Sequence, residues 1–322
     1  MQGFYFDKTS HGIQGTTPLV AILLATYNGE AFLAAQLSSL INQSYTNWVI
    51  YASDDGSQDG TLKILTDTQQ VLGERKLVIL PGPRQGFVEN FISLLQNRMI
   101  DADYFAFCDQ DDVWHPDRLE RGIRCLQENA DGGAALFCSR TRLIDSAGDV
   151  VGYSVKFKKP PSFANALVQN IAGGNTMLFN SRARKLLSDL TYSHPLIAHD
   201  WWCYLLIAGC GGQIHYSCDL LVDYRQHEKN LIGANASLKN MITRLKKMLS
   251  GDFSRWNQSN IAILHDARAL LRIENSVALD WFDKARTGSV FHRAYCLIRS
   301  GAHRQTFLGN IALALAVLLK KL

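Results

Sequence analysis

At 322 residues, 47% hydrophobic and 19% charged, the chain is long enough to bury a large core and too apolar for a disordered protein. Its net charge of +4 is unevenly placed: residues 239–322 hold 14 Lys+Arg against 5 Asp+Glu, a local +9 that leaves −5 for residues 1–238. Seven scattered cysteines without C-x-x-C or Cys/His metal spacing exclude a disulfide framework and predict a reducing compartment.

Residues 1–17 read as an N-terminal extension, and Met1-Gln2-Gly3-Phe4-Tyr5-Phe6-Asp7 lacks the basic start and continuous apolar core of a signal peptide, so export is not expected. Apolar runs at Leu19–Ala25, Trp48–Ser53, Lys76–Leu80 and Tyr104–Cys108 predict strands. Between them Ala31–Asn42, Thr61–Leu72 and Gly86–Asn97 predict helices, the alternation of βαβ units. Phe87, Phe91 and Leu94 fall at helical spacing, as a packed face does. A helix from Pro116 to about Glu128, a strand over Ala134–Arg142, a turn at Asp145-Ser146-Ala147-Gly148-Asp149 and a loop over Lys156–Pro161 follow. Gly173-Gly174-Asn175 breaks the chain before the apolar Thr176–Phe179, and Asp200-Trp201-Trp202 opens another helix. From about Ala236 only helical periodicity remains. The predicted architecture is an α/β domain over residues 18–235, built on a doubly wound, mostly parallel sheet, with a basic helical extension over 236–322.

The fourth strand ends in Asp109-Gln110-Asp111-Asp112-Val113-Trp114, three carboxylates within four residues. Ligands of open α/β sheets bind at the carboxyl ends of strands. Mg²⁺-like cations choose carboxylate oxygens and take substrate phosphates as further ligands. This Asp-x-Asp therefore reads as a diphosphate-holding site. Two other readings fit the letters: a solvated turn with an Asp capping the helix that His115-Pro116-Asp117-Arg118 opens, and the Asp-x-Asp-x-Val signature of haloacid-dehalogenase-type phosphatases. The latter normally follows the first strand of its domain, whereas three strand-like runs precede it here.

The first strand ends in Ala25-Thr26-Tyr27-Asn28-Gly29-Glu30 and the second in Ser53-Asp54-Asp55-Gly56-Ser57, while His199-Asp200-Trp201-Trp202 and Tyr224-Arg225-Gln226-His227 come later. In this order and spacing, over roughly residues 18–230, the chain resembles the family 2 glycosyltransferases of GT-A fold, most of all bacterial rhamnosyltransferase-like members. The resemblance implies a nucleotide-binding half followed by an acceptor half. It implies that Thr26, Tyr27, Asn28 and Glu30, with the Asp54/Asp55 pair, hold base and ribose; that Asp109 and Gln110 continue the nucleotide-sugar site; and that Asp111 holds Mg²⁺ or Mn²⁺ on the diphosphate. Arg225 would pair with phosphate, and His227 would complete the metal site.

By the same resemblance Asp200 is the general base, and Gly174, Asn175, Trp201 and Trp202 lie on the acceptor side. The residue types suit these roles. A carboxylate accepts the N3–H of uracil or thymine, or a ribose hydroxyl proton, and burial beside Trp201 and Trp202 would raise the proton affinity of Asp200. Turn capping by Asp54-Asp55-Gly56-Ser57 and helix capping by Asp200 are the structural alternatives. His199 stands where family members often carry Glu. The absence of Gln-x-x-Arg-Trp predicts one sugar added per encounter.

The expectation is an inverting, metal-dependent transferase using a nucleoside diphosphate sugar, dTDP-rhamnose foremost. Its acceptor would be a hydroxyl of a growing, lipid-linked saccharide in cell-surface polysaccharide synthesis. A sugar nucleotidyltransferase would need a glycine-rich, Lys-containing phosphate loop after the first strand, and a dinucleotide oxidoreductase would need G-x-G-x-x-G there. A catalytically silent saccharide-binding protein would not need carboxylates at both sites. The tail's run from Phe307 to Leu319 is too short to span a bilayer. Lys239, Arg244, Lys246 and Lys247 beside Met241, Ile242, Leu245 and Met248 suit an anionic membrane surface, which predicts a cytoplasmic protein, peripheral on the inner face of the membrane. The alternative is a helical subdomain packed on the catalytic domain. No nucleic-acid-binding motif accompanies the charge, so no nucleic-acid partner is expected.

Overall fold

The computed structural model describes residues 17–129, 131–226 and 252–322. Strands β1 (Val20–Thr26), β2 (Trp48–Asp54), β3 (Leu77–Pro81) and β4 (Tyr104–Asp109) alternate with helices α1 (Leu33–Ile41), α2 (Thr61–Leu72) and α3 (Phe87–Gln96). Each lies within two residues of its expected bounds. Every residue of β1 is buried, as a central strand covered on both faces requires. Phe91 and Leu94 are buried in the helix face, but Phe87 is 41% exposed.

The chain continues through β5 (Val113–Trp114), α4 (Arg118–Glu128), β6 (Ala135–Ile144), β7 (Val150–Tyr153), α5 (Phe163–Ala166), β8 (Leu178–Asn180), α6 (Ser181–Ser188), α7 (His199–Gly209) and β9 (Gln213–Arg225). One nine-stranded sheet has the order β3-β2-β1-β4-β8-β6-β9-β5, with β7 paired to β6. The expected parallel, doubly wound arrangement holds for β1 to β4. Beyond them the sheet is mixed: β8 runs antiparallel to β4 and β6, β9 parallel to β6, and β5 antiparallel to β9.

This topology places the site. From β1 the chain moves outward to β2 and β3, then crosses to β4 on the other side of β1, and the crevice outside such a reversal is where ligands bind. Register sets Thr26 beside Asp54 and Ala25 beside Asp109, so three strand ends open at one level. Strand β9 then returns to the same rim, where Asp223 pairs with Val113.

Helices α8 (Asp252–Asp266), α9 (Ile273–Lys284), α10 (Val290–Ser300) and α11 (Phe307–Leu318) close the described chain. Phe253, Ile261, Leu264, Leu279, Phe282, Cys296, Leu313 and Val317 belong to the same buried cluster as Phe91, Phe105 and Trp201. Polar contacts reinforce it: Gln305 exchanges two hydrogen bonds with the Lys159 backbone at 3.0 Å each, and Asn165 Nδ2 donates to the His303 carbonyl at 2.9 Å. These helices are thus packed on the α/β domain, and the expected segment from Lys239 to Met248 lies outside the described residues.

Arg293, 1% exposed, donates to the carbonyls of Gly288, Val317 and Leu318 at 2.7, 2.9 and 3.0 Å, so one guanidinium caps the C-terminal end of α11 from α10. Arg293→Met is expected to lower stability by about 3 kcal/mol, read as a lower denaturant midpoint at unchanged slope.

Candidate active site

The loops after β1 and β2 are stitched together by short side chains. Asn28, held at φ 46°, a left-handed conformation that Asn tolerates, receives the Gln58 N–H on Oδ1 at 2.8 Å and donates its own N–H to Ser57 Oγ at 2.9 Å. The Glu30 carboxylate accepts the Gly60 N–H at 2.6 Å. An open cavity of about 360 Å³ lined by Asn28, Glu30, Ala31, Gln58 and Asp59 adjoins these loops.

Asp54 and Asp55 divide their work. Asp54, 6% exposed, takes four donors: Thr26 Oγ1 at 2.9 Å, Ser57 Oγ at 2.6 Å, Ser57 N at 2.8 Å and Gly56 N at 3.1 Å. Four donors fill the lone-pair capacity of a carboxylate, so Asp54 caps the turn. Asp55 takes Arg84 N at 2.6 Å and Gly86 N at 2.8 Å, one on each oxygen. It thereby holds the turn before α3, where Arg84 and Gly86 sit at φ 60° and 94°, and it keeps acceptor capacity for a ligand.

Gln110 anchors the acidic loop to β1, accepting the Tyr27 N–H at 2.8 Å and donating to the Tyr27 carbonyl at 3.0 Å. Tyr27 itself is 55% exposed. Asp112 is fully buried, so it is not a solvated turn residue, whereas Asp109 and Asp111 are part-exposed. It accepts Asn175 Nδ2 at 2.6 Å and the Arg225 N–H at 3.1 Å. The Asn175 carbonyl in turn accepts Arg118 Nη2 at 3.0 Å, and the Arg118 guanidinium lies 3.3 Å from the centre of the Trp114 ring. Burial pulls Arg118 down to about 9.

Asp200 stands in the first turn of α7, where its charge faces the positive end of the helix dipole. Its two oxygens accept the N–H of Gly174 at 3.0 Å and of Trp201 at 2.6 Å. A Cβ on Gly174 would lie 2.7 Å from His199 Nε2, so glycine is needed for this approach. His199 is buried against Phe91 at 4.1 Å and Phe107 at 4.9 Å between ring centres, and burial pulls it down to about 4. It is neutral.

The structure shows the surroundings of four further residues of the expected site. Arg225 is 6% exposed, and its guanidinium reaches the carbonyls of Asp111 at 3.0 Å, Asp145 at 3.0 Å and Ser146 at 3.2 Å, with the Phe32 ring 4.7 Å away. It braces the acidic loop through these carbonyls. Trp201 and Trp202, expected on the acceptor side, are core residues, 7% and 2% exposed, and Trp201 Nε1 donates to the Ala166 carbonyl at 2.7 Å. They seat α7 in the core. Asn175 likewise spends its amide on Asp112, while Gly174 does lie against Asp200. His227 lies outside the described residues. Tyr224, next to Arg225 in β9, is a further residue of this region that its sequence does not single out: burial, then Asp112, Asp109, Asp111 and Asp200, push its phenol up.

The same crowding acts on Asp109, which burial and the carboxylates of Asp111 and Asp200 push up to about 8. Among the described residues no three His, Cys, Asp or Glu side chains stand close enough to hold an ion alone. A Mg²⁺ or Mn²⁺ held by one or two carboxylates plus substrate phosphates and waters needs no such cage, and carboxylates such as Asp109 and Asp111 are oxygen donors of the kind that cation takes. A pH dependence follows. Because the folded-state value of Asp109 exceeds the ordinary carboxylate value, ionisation opposes the fold. Metal-free protein should therefore lose melting temperature as pH rises from about 4 to about 8. Stabilisation by Mn²⁺ should grow over the same window, and Asp109→Asn should flatten both slopes in thermal melts.

A nucleotide-type switch point, a mixed second half of the sheet and strand-end carboxylates facing a helix-borne carboxylate define a GT-A glycosyltransferase. Residues 21–181 match the model of Glycosyl transferase family 2, and the chain belongs to that family. A relative from Shigella flexneri named dTDP-rhamnosyl transferase RfbG is 29% identical over 232 residues, covering 69% of this chain and 78% of its own. Residues 1–349 of S. aureus TarS, in complex with UDP-GlcNAc, share the fold with a TM-score of 0.54 at 15% identity, over 88% of this chain and 90% of that fragment. The mannosyltransferase PcManGT from Pyrobaculum calidifontis, in complex with GDP-Man and Mn²⁺, does so with a TM-score of 0.51 at 18% identity, over 95% and 86%.

Proposed function

We propose that this chain is an inverting, metal-dependent enzyme that moves one sugar from a nucleoside diphosphate donor, dTDP-rhamnose foremost, to a hydroxyl of a growing, lipid-linked saccharide in cell-surface polysaccharide synthesis. It would work in the cytoplasm, peripheral on the inner face of the membrane. The observation that carries the reading is the position of Asp109 at the carboxyl end of β4 beside β1, where the carboxylates of Asp111 and Asp200 both raise its proton affinity. The name of the S. flexneri relative supports the donor, and the GDP-Man and Mn²⁺ of the mannosyltransferase support the nucleotide and the cation.

In this reading the exposed Tyr27 ring stacks on the base and Asp55 accepts its N–H or a ribose hydroxyl. Asp109 takes the ribose, with Gln110 fixing the loop that carries it. Mg²⁺ or Mn²⁺, held by Asp111 with Asp109 beside it, would neutralise charge on the leaving diphosphate. Asp200 removes the acceptor hydroxyl proton as that oxygen bonds to the anomeric carbon. The bond from that carbon to the diphosphate oxygen breaks on the opposite face, and configuration inverts. Gly174 and Trp201 aim the Asp200 oxygens through their backbone N–H groups.

A thermal-shift panel of nucleoside diphosphates and nucleotide sugars with Mn²⁺ tests the donor site. A cognate donor at a hundred times its Kd should add about 2.7 kcal/mol of apparent stability. No response to any nucleotide, or equal responses in excess EDTA, would sink the reading.

A further inference from the structure

Between Phe307 and Leu318, α11 carries no charged residue. Leu313, Ala316 and Val317 face the protein and are buried, yet the other side is as apolar as the buried one. Phe307, Leu308, Ile311, Leu315 and Leu318 are 80, 59, 43, 43 and 46% exposed. Their spacing follows one helical face, a stripe about 18 Å long at 1.5 Å per residue. Helix α10, clamped to α11 through Arg293, adds Phe291, Tyr295 and Ile298 at 87, 54 and 77% exposure. Soluble proteins seldom leave an apolar helical face of this length uncovered.

Charge identifies what covers it. Residues 284–322 hold seven Lys+Arg and no Asp or Glu. Lys320 and Lys321 close the stripe, and Arg299 is exposed on α10. A second copy of the chain would bring the same cations against these. An anionic bilayer offers opposite charge at its surface and an apolar interior beneath. No described helix is long and apolar enough to cross a membrane, so such a face would lie within the interface.

We propose that the outward faces of α10 and α11 form a docking surface for an anionic lipid bilayer. The proposal deepens the peripheral position given above by assigning it to particular helices, and it does not rest on the transfer chemistry. The full chain is floated with phosphatidylcholine vesicles containing or lacking phosphatidylglycerol. It should float only with phosphatidylglycerol present and less as salt screens the charge. Replacing Phe291→Ser, Ile298→Ser, Leu308→Ser and Ile311→Ser together should abolish flotation. Lys320→Gln with Lys321→Gln should weaken it about 30-fold, at about fivefold per charge.

Both variants alter exposed side chains and should keep the wild-type melting temperature and transfer to a soluble acceptor, so loss of docking and loss of chemistry read separately. The proposal is overturned if the wild type fails to float at low salt, or if the fourfold serine variant floats as well as wild type. It is also overturned if sedimentation shows a wild-type dimer that the serine variant dissolves, which would make the face a contact between copies.

Discussion

Asp200→Asn is expected to lower turnover by roughly 100- to 10,000-fold while leaving donor binding in place, the range that removal of a general base commands. The substitution keeps the shape of the side chain, but an amide has only one acceptor oxygen. Asp200 accepts the N–H of Gly174 on one oxygen and of Trp201 on the other, so asparagine loses basicity and one anchor together. Asp200→Glu separates the two losses: it restores a base on a longer arm, where a misplacement of about 1 Å costs about 100-fold. Nucleotide-induced thermal shifts should match wild type in both variants. If Asp200→Asn no longer responds to nucleotide, the carboxylate belongs to the donor site and the proposed base is lost.

The strands that carry the donor side are legible because their signals are local. Apolar runs ending in Thr26, Asp54 and Asp109 give each strand its position, and a parallel sheet does the rest by aligning those ends. Strand β9 is not legible in this way. Its middle, His215-Tyr216-Ser217-Cys218-Asp219, has no alternating pattern, and its pairing with β6 carries two irregularities in register, so only the distant partner makes it a strand. Helix α6 is announced only by Asn180, whose side chain caps it by accepting the Ala183 N–H. The role of Arg225 depends on carbonyls 80 and 114 positions away, and that of the two tryptophans on burial. An arginine after a strand reads equally well as a phosphate clamp or a brace. Likewise Asp54 and Asp55 are equivalent as letters, and the donors on each oxygen separate them.

The acidic loop offers the second large effect, in adjacent residues with opposite expectations. Asp111→Ala should abolish metal-dependent nucleotide binding and lower turnover by about 1,000-fold or more, on the scale of a lost electrostatic stabiliser, with the melting temperature near wild type. Asp112→Ala should instead damage the fold. Asp112 is fully buried and receives the Asn175 amide and the Arg225 N–H. Truncation strands two donors at about 1–3 kcal/mol each and loosens the joint between β9 and the loop. Mn²⁺ titration with and without nucleotide, beside denaturant unfolding of both variants, distinguishes the two roles. Retention of Mn²⁺-dependent nucleotide binding by Asp111→Ala would remove that residue from the cation. Wild-type unfolding of Asp112→Ala would mean that the Asn175 and Arg225 donors find other partners, so that the loop is held chiefly by Gln110 and the Arg225 guanidinium.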